Sequence, residues 1–328
     1  MRKSPPHIRR RAPGVWRSVL TLGTFDGVHR GHQALIREVV RRARAHNARS
    51  VVLSFGLPPR HAGEPLARPV LLTTLSEKIQ ILKRLGIDTI QVLVFDRKTA
   101  ATFPEDFFRQ TVLRKHRAVE MVVGPRVAFG RKRAGRLPLL RRLGREHGVR
   151  IHLVHSISGA RGVVASRLIR RFLTSGHIEK ANALLGYPYS VSGLVVHGDH
   201  RGRHLGFPTA NIEAPPEKMM PRGVFWVKVL ASDTVPLTVR EALRGADGLC
   251  NVGIRPTFTP QSHVLHCEVF LLHKRKKLYG HRLRVVFLRR IRAEKRFSSA
   301  AALKRQIRED VAAGRKLARL YRKSHFSI

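Results

Sequence analysis

Two imidazoles three residues apart, in the run His29-Arg30-Gly31-His32, are the side chains of this chain best suited to handle a phosphate. They follow an apolar strand-like stretch and the residues Gly23, Thr24, Phe25, Asp26 and Gly27, and they precede a segment with helical periodicity. That order sets them at a helix N-terminus, where unpaired N–H groups and the helix dipole favour anions. Imidazoles in such a place can donate hydrogen bonds to a triphosphate and answer its charge as it changes. An H-x-x-H pair taken alone reads as readily as surface or core; the flanking Gly-x-Phe-Asp-Gly tips the balance toward phosphate.

A second constellation lies between Gly198 and Asn211. Gly198, Gly202 and Gly206 make a loop whose backbone can approach a nucleotide closely. After Pro208, the Thr209 hydroxyl and the Asn211 side-chain oxygen are ligands of the kind Mg²⁺ prefers beside phosphate. The same composition also describes an ordinary turn. Further on, Glu268 sits in the strand-like run His266–Leu272, where a carboxylate either faces solvent or acts as a base. The chain contains no Walker loop, so any phosphoryl transfer must be organised by residues such as these.

The elements that must position these groups follow two grammars. Up to about Gly186, short β-branched runs alternate with helical stretches: Val19–Leu22, Val51–Phe55, Ile90–Phe95, Val119–Val123 and Arg150–Val154 read as buried parallel strands. Between the first two, Gln33–Ala45 places Leu35, Ile36, Val39, Val40 and Ala43 on one helical face, and Thr74 to Glu77 has capping-box spacing before a helix that stops near Gly86. The expectation is an α/β, doubly wound Rossmann-like domain with its ligand beyond the carboxyl ends of the strands. After Pro188, strand-like runs at 189–197, Gly223–Leu230, Val264–Leu272 and Leu283–Leu288 are separated by Gly- and Pro-bearing loops, which implies an antiparallel β-barrel closed by a helix over Ser298–Tyr321. The expected division is a basic tail at 1–14, a nucleotide-handling domain at 15–186 and a barrel domain at 187–328, in contact because the boundary at Tyr187-Pro188-Tyr189 is short.

A length of 328 residues accommodates two domains, each with its own core. Cys250 and Cys267 form neither a disulfide framework nor a zinc spacing, which fits a reducing interior. No apolar run nears the roughly 20 residues that span a bilayer, so a cytoplasmic protein with no membrane partner is expected. The net charge of +43 exceeds what steering of small substrates requires and attracts polyanions, nonspecific nucleic acid above all. The basic residues are dispersed, however, and no nucleic-acid-binding motif accompanies them.

The His29–His32 loop resembles that of the HxGH nucleotidyltransferases, and the runs 198–211 and Asn251–Phe258 resemble the flavokinase signatures. Their order along the chain is similar to that of the bacterial bifunctional riboflavin kinase/FAD synthetase family. The resemblance implies phosphorylation of riboflavin to FMN and adenylylation of FMN to FAD, with ATP as co-substrate and Mg²⁺ as cofactor. It implies that Glu268 takes the proton of the ribityl hydroxyl and that His29 and His32 serve adenylyl transfer. Gly23, Thr24, Phe25, Asp26, Gly31, Ser166 and Arg170 then bind ATP in the first domain, and Gly202, Gly206, Pro208, Thr209 and Asn211 in the second. Arg292 and Phe297 lie in the segment that closes over the flavin. Several positions depart from the family pattern: Gly56 and Arg126 on the acceptor side, and Ala165 and Arg167 where the second phosphate-binding element has hydroxyls. Two rivals therefore stay open, a riboflavin kinase with weak or lost adenylyl transfer and a nucleic-acid-binding protein on a degenerate flavin-enzyme scaffold.

Overall fold

The computed structural model describes residues 16–56, 70–94, 96–155, 158–159, 162–198, 205–254, 265–273 and 278–326. The basic tail at 1–14 and Gly202 lie outside them. Five parallel strands form the first sheet: β1 Ser18–Gly23, β2 Arg49–Phe55, β3 Thr89–Leu93, β4 Ala118–Val123 and β5 Arg150–Leu153, in the order β3-β2-β1-β4-β5. β1 is central and buried almost throughout, which is why it reads as an uninterrupted apolar run. The order reverses between β1 and β4, and the carboxyl end of β1 opens there onto the crevice where α/β sheets hold ligands.

Helix α1, Arg30–Ala45, buries Leu35, Ile36, Val39, Val40 and Ala43, the face its 3.6-residue spacing demands. Helix α2, Leu75–Arg84, starts with the complete capping box of Thr74 and Glu77, and Gly86 follows it at φ +93°. α1 begins three residues before the expected Gln33, because His29 caps it, and β3 ends at Leu93 rather than at 95. Helices α3, Ser166–Thr174, and α4, Ile178–Leu185, lead out of the sheet domain.

The second half closes into a six-stranded antiparallel barrel. Its strands are β6 Ser190–Val196, β7 Ala210–Glu213, β8 Gly223–Leu230, β9 Ala246–Ile254, β10 Leu265–Leu271 and β11 Arg282–Arg292. Around the barrel the order is β8-β9-β10-β7-β6-β11. β7 and β9 were not legible as strands: the first lies in what read as a Gly-Pro loop, and the second carries two glycines, an Asp and an Asn. Pairing on both sides supplies what their propensity lacks. Cys250 and Cys267 point inward with their Sγ atoms 3.4 Å apart, as thiols. Helix α5, Ala300–Phe326, packs on the outside against Trp226, Leu249, Leu272 and Val286.

The two halves share one apolar cluster that runs from Val19 and Ile36 to Phe225 and Phe287. Polar contacts fix their mutual position. Tyr187 Oη donates to Gly27 O at 2.7 Å, and Lys218 Nζ donates to Leu72 O at 2.7 Å. Residues 217–219 pair with Leu71 through two backbone hydrogen bonds, Leu71 N to Glu217 O and Met219 N to Leu71 O.

Candidate active sites

At the carboxyl end of β1 the chain turns through Phe25 at φ +48°, Gly27 at +78° and Val28 at +32°, then enters α1. Positive φ at two non-glycine residues is costly and persists only where surrounding contacts impose it. Asp26 supplies many of those contacts. Its Oδ1 accepts from the backbone N–H groups of Leu72 at 2.9 Å and Thr73 at 3.2 Å, and its Oδ2 pairs with Arg170. Ser166 Oγ donates to Asp26 O at 3.0 Å, and Gly27 N donates to Thr73 Oγ1 at 3.0 Å. The side chains of Asp26, Ser166 and Arg170, expected around ATP, are here joined into a brace that holds the loop. A carboxylate facing phosphate would repel it, and Arg170 removes that penalty.

His29 is the N-cap of α1, and its Nδ1 accepts from His32 N at 3.3 Å. A neutral imidazole that accepts at Nδ1 carries its proton on Nε2, so His29 presents a donor. The rings of His29 and His32 stack with centroids 3.7 Å apart, and Phe25 meets His32 edge-on at 5.3 Å. Gly31 makes this possible, since a Cβ there would stand 3.2 Å from His29 Cε1. Burial pulls the pKa of His29 down to about 4, with Arg126 adding to the effect against the hydrogen bond that raises it. His32 falls well below its ordinary value through burial and the charges of His29, Lys78 and Arg126. Both rings are therefore neutral near pH 7. His32 Nδ1 is buried and has no hydrogen-bond partner among the described residues.

Sequence reading passed over Lys78. It lies on the buried side of α2, next to the capping-box Glu77, and only its position on an otherwise core-facing stripe could have marked it. Gly56, the acceptor-side departure after β2, donates its N–H to Leu93 O at 3.3 Å, and residues 57–69 lie outside the described residues. Arg126 is exposed near the histidine pair, and Ala165 occupies the N-cap of α3 with no side-chain hydrogen bond.

In the barrel the expected kinase residues fall into one transverse line. Asn211 of β7 stands opposite Glu268 of β10, and Glu268 stands opposite Asn251 of β9. Cys267 and Val269 are buried inside, so Glu268, half-buried, points to the outer face by strand alternation. Thr209 lies two residues before Asn211, and Gly206 turns the chain toward them at φ +89°, a conformation glycine adopts without strain. Exposed Pro208 separates Gly206 from Thr209. The Asn211 amide lies so close to Gly198 that a Cβ would not fit there. Thr209 and Asn211 offer neutral oxygens beside the Glu268 carboxylate, a donor set that fits Mg²⁺. Among the described residues no group of three His, Cys, Asp or Glu side chains could hold a metal.

Arg292, expected in the segment over the flavin, is paired with the terminal helix. Its Nε and Nη2 grip Asp310 of α5 at 2.9 to 3.0 Å, with the Phe297 ring 5.7 Å from the guanidinium. Its geometry anchors the terminal helix. Glu294, which sequence reading left aside, lays its carboxylate over Gly253, and a side chain there would have to push it aside.

A family model described as FAD synthetase matches residues 15–168, and one described as riboflavin kinase matches residues 185–318. The bifunctional riboflavin kinase/FMN adenylyltransferase of Escherichia coli strain K12 is 36% identical over 292 residues, 89% of this chain and 90% of its own length. The chain belongs to this family. Its relative in Haemophilus influenzae is 33% identical over 89% of this chain and 91% of the relative, and that of Listeria monocytogenes is 31% identical over 89% and 90%. The FAD synthetase match covers the parallel sheet and the riboflavin kinase match covers the barrel, so the expected fold class and order of activities hold. A Streptococcus pneumoniae crystal structure, described as a macrolide-efflux protein, superposes with a TM-score of 0.80 at 28% identity, covering 92% of this chain and 95% of that one. No described helix of the present chain is long and apolar enough to cross a membrane.

Proposed function

We propose that residues 187–328 phosphorylate riboflavin to FMN with ATP, and that residues 15–186 join AMP from a second ATP to that FMN, releasing pyrophosphate. The observation that carries this reading is that each expected constellation assembles within its own fold: the neutral His29–His32 pair at the α1 N-terminus, and the Asn211–Glu268 pair across β7 and β10.

In the barrel, Glu268 takes the proton of the ribityl 5′-hydroxyl as that oxygen attacks the γ-phosphorus, and ADP leaves. Thr209 and Asn211 hold Mg²⁺ with the nucleotide; when bound, the ion neutralises charge on the β- and γ-phosphates. In the sheet domain an FMN phosphate oxygen attacks the α-phosphorus of ATP, the bond to the β-phosphate oxygen breaks, and no covalent enzyme intermediate is needed. The Nε2–H of His29, the imidazole of His32 and the first N–H groups of α1 donate to the phosphate oxygens as charge builds. A reducing compartment, the cytoplasm, suits the buried thiols of Cys250 and Cys267.

Incubation with riboflavin, ATP and Mg²⁺, followed by separation of the flavins, tests the assignment: FMN accumulates first and FAD follows. The uncapped α3 N-terminus at Ala165 favours a second reading in which adenylyl transfer is slow. In that case FMN accumulates and FAD stays at trace level.

A further inference from the structure

Lys78 is 4% exposed. Its Nζ donates to Ser54 Oγ at 3.2 Å and to Phe55 O at 2.9 Å, both at the carboxyl end of β2. An ammonium carries three N–H donors, so one remains after these two bonds. Among the described residues no carboxylate lies within ion-pair distance of it. The other buried lysines behave differently: Lys218 is paired with Glu77 at 2.6 Å and Lys228 with Asp247 at 2.9 Å. A buried charge without a counter-ion is expensive, and proteins keep one where a ligand supplies the opposite charge. Burial brings the Lys78 pKa down to about 8, with the charge of Asp26 working in the other direction.

The position fits such a ligand. Lys78 is close enough to His32 for its charge to depress that imidazole, and His32 Nδ1 is itself buried without a partner among the described residues. An ammonium with one donor to spare and an imidazole nitrogen with no partner among the described residues thus lie at the carboxyl edge of the parallel sheet, by the N-terminus of α1. Adenylyl transfer brings two anionic reactants together, and their mutual repulsion must be neutralised before the acceptor oxygen can reach the α-phosphorus. Resting on the adenylyl-transfer reading above, we propose that Lys78 Nζ binds an oxygen of a reacting phosphate directly and is a catalytic residue of FAD formation. Its anchors, Ser54 and Phe55, end β2, where Ser54 pairs with Gly23 of β1, whereas His29 and His32 stand at the start of α1, so ammonium and imidazoles approach the reacting phosphates from separate elements.

The test compares Lys78→Met and Lys78→Arg with wild type in the full chain. FAD formation from FMN and ATP falls at least 100-fold in Lys78→Met, with the KM of one nucleotide rising tenfold or more, while FMN formation from riboflavin stays within twofold. A raised KM for FMN identifies the acceptor phosphate, and a raised KM for ATP identifies the donor. Lys78→Arg, which keeps the charge, recovers part of the lost rate. Lys78→Met also unfolds at a temperature no lower than wild type, because it removes a charge without orphaning a carboxylate, whereas a lysine kept for structure would lower it. FAD formation with unchanged rate and KM in Lys78→Met overturns the assignment and leaves the adenylyl-transfer reading intact. If wild type itself makes no FAD, that reading fails. Inorganic pyrophosphate then decides for Lys78: equal pyrophosphate-induced rises in unfolding temperature for wild type and Lys78→Met overturn its role as a phosphate ligand.

Discussion

Glu77 of the sheet domain and Lys218 of the barrel domain form an ion pair 2.6 Å long with both side chains almost fully buried. The second oxygen of Glu77 receives Arg284 of β11 at 2.8 Å, and Lys218 also donates to Leu72 O. Leu72 N is in turn a donor to Asp26 in the phosphate loop. A short chain of polar contacts therefore runs from the barrel wall to the HxGH turn. Replacing Glu77 with Gln leaves Lys218 and Arg284 buried without their shared anion, at a cost of about 3–5 kcal/mol. Urea unfolding followed by fluorescence measures that loss.

The same pair gives the pH dependence its sign. Burial alone would raise the Glu77 pKa, but Lys218 and Arg284 outweigh it and hold the carboxyl below its ordinary value. A depressed carboxyl contributes stability above its unfolded pKa of about 4.3 and loses that contribution as the pH falls through the folded value. Stability of wild type should fall between about pH 4.3 and lower pH more steeply than that of Glu77→Gln, as seen in unfolding midpoints across a pH series.

The role proposed for His29 and His32 is confined to adenylyl transfer. Changing both to Ala should abolish FAD and pyrophosphate production while FMN production stays near wild type, since loss of such donors costs about 10²–10³ each. Because burial holds His29 near pKa 4, FAD formation should show no imidazole titration between pH 5.5 and 7 in its kcat/KM profile. FAD that persists in the double variant would remove the pair from the mechanism.

Glu268→Gln keeps the shape of the barrel strand and removes the proposed base. FMN formation should drop by about 10²–10⁴, and conversion of supplied FMN to FAD should continue. Flavin separation by chromatography reads both. An unimpaired kinase would show that Glu268 is only an outward-facing strand residue.

Thr209→Val exchanges a hydroxyl for a methyl of similar volume in the loop before β7. Use of MgATP should weaken far more than riboflavin binding, because the role proposed for this hydroxyl is toward Mg²⁺, which needs oxygen ligands, and not toward the flavin. Titrating each substrate separately distinguishes this outcome from a collapsed loop, in which both affinities fall together.

Ala165→Ser restores a side-chain oxygen at the N-cap of α3. Such a cap contributes about 1 kcal/mol, visible as a higher unfolding midpoint, and it should raise rather than lower FAD formation. A midpoint equal to wild type would mean that the helix start is already satisfied by other donors and acceptors.

The sequence by itself determined the five parallel strands, the Thr74–Glu77 capping box, the His29 N-terminus and the antiparallel second half, because these rest on local periodicity and spacing that each segment carries alone. It also determined the two activities in order, through the motifs at His29–His32 and 198–211. Tertiary structure decided what depended on partners distant in the chain. β9 exists because β8 and β10 pair with it, not because Gly248 or Gly253 favours a strand. Asp26 and Arg170 read alike as phosphate-binding residues, and only the fold joins them in an ion pair, since 143 residues of intervening chain must return Arg170 to the loop. Arg292 is drawn to Asp310 by the docking of α5. Lys78 looks like any helical lysine until packing removes its water and, among the described residues, sets no carboxylate within ion-pair distance, and burial is a property of the assembled fold that no local pattern encodes.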